Sequence, residues 1–153
     1  MAGFNPALSI TVLVKIFTDR RPNEKLDTCT VGDFVKGRPG VLSRVKASAP
    51  NLLAISSITL MEIEFGLALN PQRARKLAPV MNAFLGSVTT FAFDEADALA
   101  AAGVRAALQR KGGSIGSYDV LIAGCGLARG LIVVTANVAE FQRAGGLVVE
   151  NWR

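Results

Sequence analysis

Residues 52–67 read Leu-Leu-Ala-Ile-Ser-Ser-Ile-Thr-Leu-Met-Glu-Ile-Glu-Phe-Gly-Leu, and this stretch decides the fold class. The run from Leu52 to Ser56 is apolar up to its last residue, which is typical of a strand buried on both faces. A helix is predicted directly after it, because residues 59–62 match a capping box and the apolar residues that follow keep helical spacing. A buried strand that leads straight into a helix favours a parallel α/β sheet.

The same alternation of strand and helix extends along the chain. Further strands are predicted at 88–93, 131–135 and 146–149, and further helices at 41–47, 72–85, 94–110 and 117–128. Residues 30–33 match another capping box and predict a short helix that ends near Gly37. Pro79 is expected to kink the helix around it or to start a new one. The pattern therefore predicts one three-layer α/β/α sandwich with a central parallel sheet of four to five strands and right-handed crossovers.

Composition is that of a globular chain with a basic surface. The chain has 153 residues, of which 50% are hydrophobic and 19% charged, so it is long enough to bury a core as one domain. The formal net charge is +5 and the pI is about 9.7. A positive surface favours association with a polyanion such as RNA or DNA, although a basic surface kept for solubility is an equally common reason.

Cysteine usage and hydropathy indicate a cytoplasmic protein that is not in a membrane. Cys29 and Cys125 lie far apart and the chain has no histidine, so a zinc site is nearly excluded. Two lone thiols fit a reducing compartment, and a packing role is favoured for Cys29. The apolar segment from Leu8 to Phe17 is short and contains Lys15, so it is rejected as a signal peptide and as a membrane span.

Oxygen-bearing side chains follow the predicted strands at the points where helices begin. They are Asp27, Glu62, Asp119 and Asn137. In an open α/β sheet, ligands bind in the crevice outside the carboxyl ends of the strands. Carboxylates gathered there repel one another unless a cation neutralises them, and Mg²⁺ suits such a site. Since histidine is absent, metal-assisted hydrolysis is the natural route to cleave a polyanion.

Each of these residues also has a structural explanation. Glu62 would be the last residue of a capping box, Asp119 would complement a helix macrodipole, and Asn137 with Glu140 would form a helix cap. These explanations are favoured singly, but they do not require acids at the same edge of one sheet. The run Asp94-Glu95-Ala96-Asp97 is interpreted as an acid-rich helix start, because no phosphate-binding loop accompanies it.

Four blocks of sequence resemble the PIN-domain ribonucleases, and specifically the VapC-type toxins of bacterial toxin–antitoxin pairs. The first is Leu-Asp-Thr-Cys at 26–29 with Asp-Phe-Val-Lys-Gly at 33–37, and the second is the segment 55–67. The third is Ile-Gly-Ser-Tyr-Asp-Val-Leu-Ile-Ala at 115–123, and the fourth is Val-Thr-Ala-Asn-Val-Ala-Glu-Phe at 134–141. The blocks have the family's order and spacing, and the likeness extends over residues 26–152.

The resemblance implies a Mg²⁺-dependent endoribonuclease, with Mn²⁺ as the alternative metal, that cuts tRNA or ribosomal RNA and is neutralised by a VapB-type antitoxin. It also implies a homodimer. Carried over by position, Asp27 and Asp119 would be the principal metal ligands, and Glu62 would bind the metal directly or through water. Asn137 would complete the pocket with a carbonyl oxygen in place of a charge. Thr28 and Thr135 would hydrogen-bond around the ligands.

The front of the chain departs from this family. Residues 1–25 are interpreted as an atypical N-terminal extension and residues 26–153 as the PIN-like domain. Residues 22–25 are expected to be too polar for a central strand. Either that strand is degenerate, or the apolar run from Ile10 to Phe17 replaces it, or the start site is shifted.

Two rival functions remain open at this stage. A catalytically impaired module would keep the fold and bind RNA or antitoxin without cleavage. A phosphoacceptor domain would also gather acids at strand ends, but it needs a lysine after a late strand, and none follows residues 131–135. Glu64 and Glu140 are expected to be solvated or capping residues. Several basic residues either line the substrate path or, as favoured for most of them, form solvated helix faces: Arg73, Arg75, Lys76, Arg105, Arg110 and Lys111.

Overall fold

A computed structural model of the chain describes residues 12–15 and 24–153, with side chains described from Leu26 onward except that of Thr28. The strands are β1 (Val12–Lys15), β2 (Glu24–Asp27), β3 (Leu53–Ser56), β4 (Thr89–Phe91), β5 (Ile132–Val134) and β6 (Val149–Glu150). The helices are α1 (Thr28–Val35), α2 (Pro39–Ala47), α3 (Ser57–Leu69), α4 (Pro71–Ser87), α5 (Glu95–Arg110), α6 (Ser117–Arg129) and α7 (Val138–Phe141), and a 3₁₀ turn covers Pro50–Leu52.

The strands form one sheet in the order β4-β3-β1-β2-β5-β6, with additional pairings between β2 and β3 and between β1 and β5. Strands β2 to β6 pair in parallel, whereas β1 is antiparallel to each of its partners. In the register of the parallel pairs, Lys25 lies opposite both Ala54 and Val133, and Leu26 lies opposite Val134. The carboxyl ends of β2, β3 and β5 therefore meet at one edge of the sheet.

Two hydrophobic cores lie on opposite faces of this sheet, because successive strand residues point to opposite sides. Leu53 and Ile55 pack in one core with side chains of α1, α2, α3 and α4 and with Trp152. Ala54 and Val133 pack in the other core with side chains of α5, α6 and α7. The predicted three-layer α/β/α sandwich with a parallel sheet is confirmed, and the antiparallel strand β1 is an addition to it.

The expectation that residues 22–25 are too polar for a central strand is wrong for Glu24 and Lys25, which form the first half of β2. Pairing with β3 and β5 is made by backbone groups, so neighbouring strands outweigh the weak intrinsic preference of two polar residues. Within the apolar run, β1 covers Val12–Lys15 and lies beside β2 without replacing it. The interpretations that concern residues 1–11 and 16–23 lie outside the described residues.

Helix α3 begins one turn earlier than predicted. Its N-cap is Ser56, whose Oγ accepts the backbone N–H of Thr59 at 3.1 Å, so Thr59 is not the cap. The cap falls on Ser56 because this residue ends β3 with an extended backbone, which is the conformation an N-cap needs.

Helix α1 shows the same displacement, since Asp27 and not Thr30 caps it. The acid-rich helix start is confirmed, because Asp94 and Asp97 form a reciprocal capping box at the start of α5. Pro79 lies inside α4, which is assigned as one helix from Pro71 to Ser87 and does not restart at the proline. Among the described helices, none combines the length and the apolar character that crossing a bilayer requires.

Candidate active site

Asp27 stands where β2 ends and α1 begins, and its side chain is fully buried. One carboxylate oxygen, Oδ1, accepts the backbone N–H of Thr30 at 3.0 Å, which is the helix cap. The other, Oδ2, accepts the hydroxyl of Thr135 at 2.6 Å. This second bond follows from the parallel register, because Leu26 pairs with Val134 and the next residues on each strand are Asp27 and Thr135.

The two threonines are themselves fixed by the backbone. The Oγ1 of Thr135 accepts the N–H of Asn137 at 2.9 Å, so its proton is directed at Asp27. The Oγ1 of Thr30 lies 3.0 Å from the carbonyl of Val134 and 3.2 Å from Asp27. Thr135 thus makes a hydrogen bond of the kind expected of it. Thr30 was missed as a partner, although an aspartate three residues before a threonine is a recognisable capping signal.

Asp119 lies in the first turn of α6 and is also fully buried. Among the described residues, neither of its carboxylate oxygens has a hydrogen-bond donor. Buried carboxylates are normally paired with donors or cations, so this one is an exception that needs an explanation. The backbone presses close on it, since a Cβ atom added to Gly116 would lie 2.9 Å from Oδ2 of Asp119.

The surroundings of Asp119 disfavour its ionised form. Burial, a side-chain hydrogen bond with Glu140 and the negative charges of Asp27 and Glu140 raise the pKa of Asp119 to about 8. Two carboxyl groups can share a hydrogen bond only if one of them is protonated, so no donor exists when both are ionised. The negative charge of Asp27 acts on Asp119, so the two carboxyl groups repel each other when both are ionised.

Glu140 belongs to this group of acids, in addition to being a half-buried residue that accepts a backbone N–H at the start of α6. Its carboxylate accepts the backbone N–H of Gly116 at 3.2 Å, just ahead of α6, and it acts on Asp119. Glu140 is carried by the short helix α7, which begins after Asn137 within the fourth sequence block. Glu64 is exposed on α3, as expected.

The other predicted site residues are Glu62 on α3, Asn137 at the start of α7 and Thr28 at the start of α1. Glu62 is buried in the second turn of α3, and it is not part of a capping box, because the N-cap is Ser56 and the residue three positions after it is Thr59. It is not among the groups that raise the pKa of Asp119. Asn137 has the N-cap position of α7, yet its side chain makes no capping bond, so the capping explanation is wrong for it. The side chain of Thr28 lies outside the described residues.

The donor set fits a magnesium ion held by few protein ligands. Over residues 12–15 and 24–153, no three or more His, Cys, Asp or Glu side chains are arranged as a metal-binding group. Mg²⁺ commonly uses only one or two carboxylates and keeps several waters. The two mutually repelling carboxylates of Asp27 and Asp119, one of them without any donor, match that requirement.

Comparison with known proteins agrees with this architecture. The family model described as "PIN domain" matches residues 26–147. The tRNA(fMet)-specific endonuclease VapC of Shigella flexneri is 36% identical over 127 residues, which cover 83% of this chain and 96% of that protein.

Two solved structures are similar throughout. The DNA-bound VapBC complex of Salmonella typhimurium contains a chain that is 37% identical, with a TM-score of 0.74, covering 84% of this chain and 96% of that one. VapBC2 of Rickettsia felis, bound to a promoter DNA fragment, contains one that is 28% identical, with a TM-score of 0.76, covering 84% and 97%.

The fold and the acids at the carboxyl edge of its sheet define a PIN-domain protein. Within that class, the chain belongs to the VapC ribonucleases, a family of nucleases that act on phosphodiester bonds.

Proposed function

We propose that the protein is a Mg²⁺-dependent endoribonuclease toxin that hydrolyses RNA phosphodiester bonds and is neutralised by an antitoxin. The observation that carries the proposal is the buried Asp119 carboxylate, which has no donor among the described residues and lies within the repulsive field of Asp27. A divalent cation would supply the positive charge that the two aspartates need. A purely structural role would leave two buried acids repelling each other without benefit.

Asp27 and Asp119 would hold the metal, and Glu62 would contact it directly or through water. When bound, Mg²⁺ lowers the pKa of a water molecule and neutralises charge on the phosphate. Thr135 donates to Oδ2 of Asp27, and the backbone N–H of Thr30 donates to Oδ1. These two hydrogen bonds hold the carboxylate in one orientation, so that its remaining lone pairs point in fixed directions. Asn137 would offer a carbonyl oxygen without a charge, which favours weak binding of any second ion.

Substrate and partner follow from the relatives by analogy. The Shigella relative is named as specific for tRNA(fMet), which supports a structured RNA such as tRNA or ribosomal RNA as substrate. The solved neighbours are VapBC complexes, which supports a VapB-type antitoxin as partner, and we extend the proposal to a homodimer. RNA and antitoxin would both be met in the cytoplasm, which is where we place the protein.

The experiment is RNA cleavage by Asp119→Asn and Glu62→Gln compared with the unmodified chain, in Mg²⁺ and in EDTA. Each substitution keeps the shape of the side chain and removes its charge. We expect a loss of at least about a hundredfold, since a metal contributes several kcal/mol to the transition state and about 1.4 kcal/mol is tenfold in rate. Cleavage should also stop in EDTA.

Glu64→Gln is the matched control, because Glu64 is exposed on the same helix as Glu62 and should retain full activity. Thermal melting of each variant separates loss of chemistry from loss of fold. Undiminished cleavage by both Asp119→Asn and Glu62→Gln, or cleavage that continues in EDTA, would refute the proposed function.

A further inference from the structure

A second buried carboxylate, Asp33, lies on α1 and is held between two guanidinium groups. Its side chain is 2% exposed. Arg153 approaches it with a fork, Nε to Oδ2 at 2.6 Å and an Nη2 to Oδ1 at 3.3 Å. Arg38 reaches Oδ1 through Nε at 3.1 Å. We call these three residues the Asp33 clamp.

The segment that carries Arg153 is fixed independently of the clamp. Trp152 is buried, its Nε1 donates to Glu150 at 2.9 Å, and Arg44 lies over its ring with the guanidinium carbon 4.9 Å from the centroid. The backbone also packs tightly on α2, because a Cβ atom at Gly40 would lie 2.6 Å from the carbonyl oxygen of Trp152. These contacts hold the backbone before Arg153 in place, so that its side chain lies next to Asp33.

The clamp residue Asp33 lies on the same helix that Asp27 caps. Asp27 caps α1 and Asp33 is six residues further along, a rise of roughly 9 Å at about 1.5 Å per residue. The Asp33 carboxylate raises the pKa of Arg153, and the charges of Cys29 and Asp27 act in the same direction. Arg153 is thus within electrostatic range of the proposed metal ligand Asp27.

The clamp has more positive charge than an ion pair requires. The single carboxylate of Asp33 faces both Arg38 and Arg153, and Lys36 is close as well. Burial lowers the pKa of Lys36, the charges of the two arginines lower it further, and the charge of Asp33 raises it. The arginine side chains remain 52% and 40% exposed. The contacts with Asp33 use Nε of Arg38 and Nε and one Nη of Arg153, so within the described part of the chain the other N–H groups of both arginines remain to bind another anion.

We propose that Arg38 and Arg153, held in position by Asp33, bind a backbone phosphate of the RNA. This assignment rests on the proposed function and adds to it a positioning site for the substrate. Guanidinium groups suit phosphate because they present several donors in a fixed geometry. Both arginines are partly exposed, so they can meet a polyanion while they keep their contacts with Asp33.

The test is RNA binding in an Asp119→Asn background with EDTA, which prevents cleavage. The probe is a fluorescein-labelled single-stranded RNA, and its anisotropy gives the affinity at several KCl concentrations. Arg38→Gln and Arg153→Gln should each weaken binding by about three- to tenfold at low salt and reduce the salt slope by about 0.7, the value for one phosphate contact on a single strand. Arg153→Lys should keep most of the slope, because it keeps the charge.

Arg110→Gln is the control, since it removes the same charge from the exposed end of α5, on the other face of the sheet. An equal loss of RNA affinity in Arg110→Gln would show a general effect of net charge and would contradict the proposal that the Asp33 clamp binds a phosphate. So would unchanged slopes in both clamp variants. A clamp with only a structural role would lower the melting temperature of Arg153→Gln without altering the slope. Wild-type cleavage measured in parallel tests the proposed function separately, because it can succeed while the clamp fails.

Discussion

Two buried aspartates of this molecule, Asp97 and Asp119, are treated in opposite ways. Both are fully buried in the first turn of a helix, and the two helices, α5 and α6, pack against each other. Oδ2 of Asp97 accepts Arg129 at 2.8 Å and the backbone N–H of Asp94 at 3.0 Å. Asp119 faces Asp27 and Glu140 and has no donor among the described residues.

The difference shows how structural and functional acids are distinguished by their surroundings. Arg129 gives Asp97 a positive charge and a donor to Oδ2, and it also reaches Asp94 and the carbonyl of Ala92, so the charge of Asp97 is paired within the chain. Oδ1 of Asp97 and Nε of Arg129 have no hydrogen-bond partner among the described residues, but each side chain is held by its other atoms. Under the proposed function, a bound cation would supply the positive charge that Asp119 lacks. A carboxylate buried without a partner destabilises the metal-free protein, and a bound cation would offset that cost. This behaviour is expected of a metal site.

The largest loss of stability is expected when Asp97 loses its positively charged partner and becomes, like Asp119, a buried acid without a cation. Arg129→Gln removes the cation and leaves Asp97 buried without it, so it should destabilise the fold by about 3–5 kcal/mol, the usual result of breaking a buried pair from one side. Urea unfolding measures the loss. Metal affinity of the folded variant should stay unchanged. A variant as stable as the unmodified chain would contradict the claim that Arg129 stabilises the buried carboxylate of Asp97.

A smaller effect is expected in the pH dependence of the metal-free protein. Because the pKa of Asp119 is raised to about 8 from 3.8, the folded state binds more protons than the unfolded state between these values. The stabilisation is complete below the unfolded pKa and is lost as the pH rises toward 8. We expect a decline of up to about 4 kcal/mol between pH 5 and 8, because this range covers nearly three pH units between the two pKa values and each unit is worth about 1.4 kcal/mol.

Asp119→Asn provides the matched control for this decline, since it keeps the shape and cannot ionise. Its unfolding free energy should be nearly constant over the same pH range, and Mg²⁺ should raise the stability of the unmodified chain only. An equal decline in both proteins would assign the pH dependence to other groups.

The smallest effect tests whether Asp27 needs its orienting hydrogen bond. Thr135→Val removes the donor at 2.6 Å from Oδ2 and should reduce RNA cleavage by about tenfold, as is usual for groups that orient metal ligands. Thr135→Ser keeps the hydroxyl and should restore most of the activity. Equal rates for the valine and serine variants would remove Thr135 from the account.

The sequence predicted the layers and the acid edge because these depend on patterns that are local. Buried strands read as apolar runs, and Asp27 and Asp119 follow or precede such runs at helix starts. The predicted strand at 131–135 and helix at 117–128 differ from β5 and α6 by one residue at most. The caps of α1 and α3 were predicted one turn too late, because the end of the preceding strand decides which of two possible residues caps each helix.

The parts that were missed depend on contacts between residues far apart in the chain. Glu140 reaches Gly116 and Asp119 only because α7 packs beside α6. Asp33 pairs with Arg153, which is 120 residues away, so nothing near Asp33 in the sequence indicates the clamp. Glu24 and Lys25 form a strand because two neighbouring strands pair with them, and no propensity of their own predicts it.

The most direct test of the account is a calorimetric titration of Mg²⁺ or Mn²⁺ into the protein at pH 7, repeated in buffers with different ionisation heats. Asp119, with a pKa of about 8, is mostly protonated at this pH, so metal binding should release about one proton. Asp119→Asn should lose this proton release together with most of the metal affinity. Binding without proton release, or equal binding by Asp119→Asn, would contradict the claim that this buried carboxylate is completed by a cation.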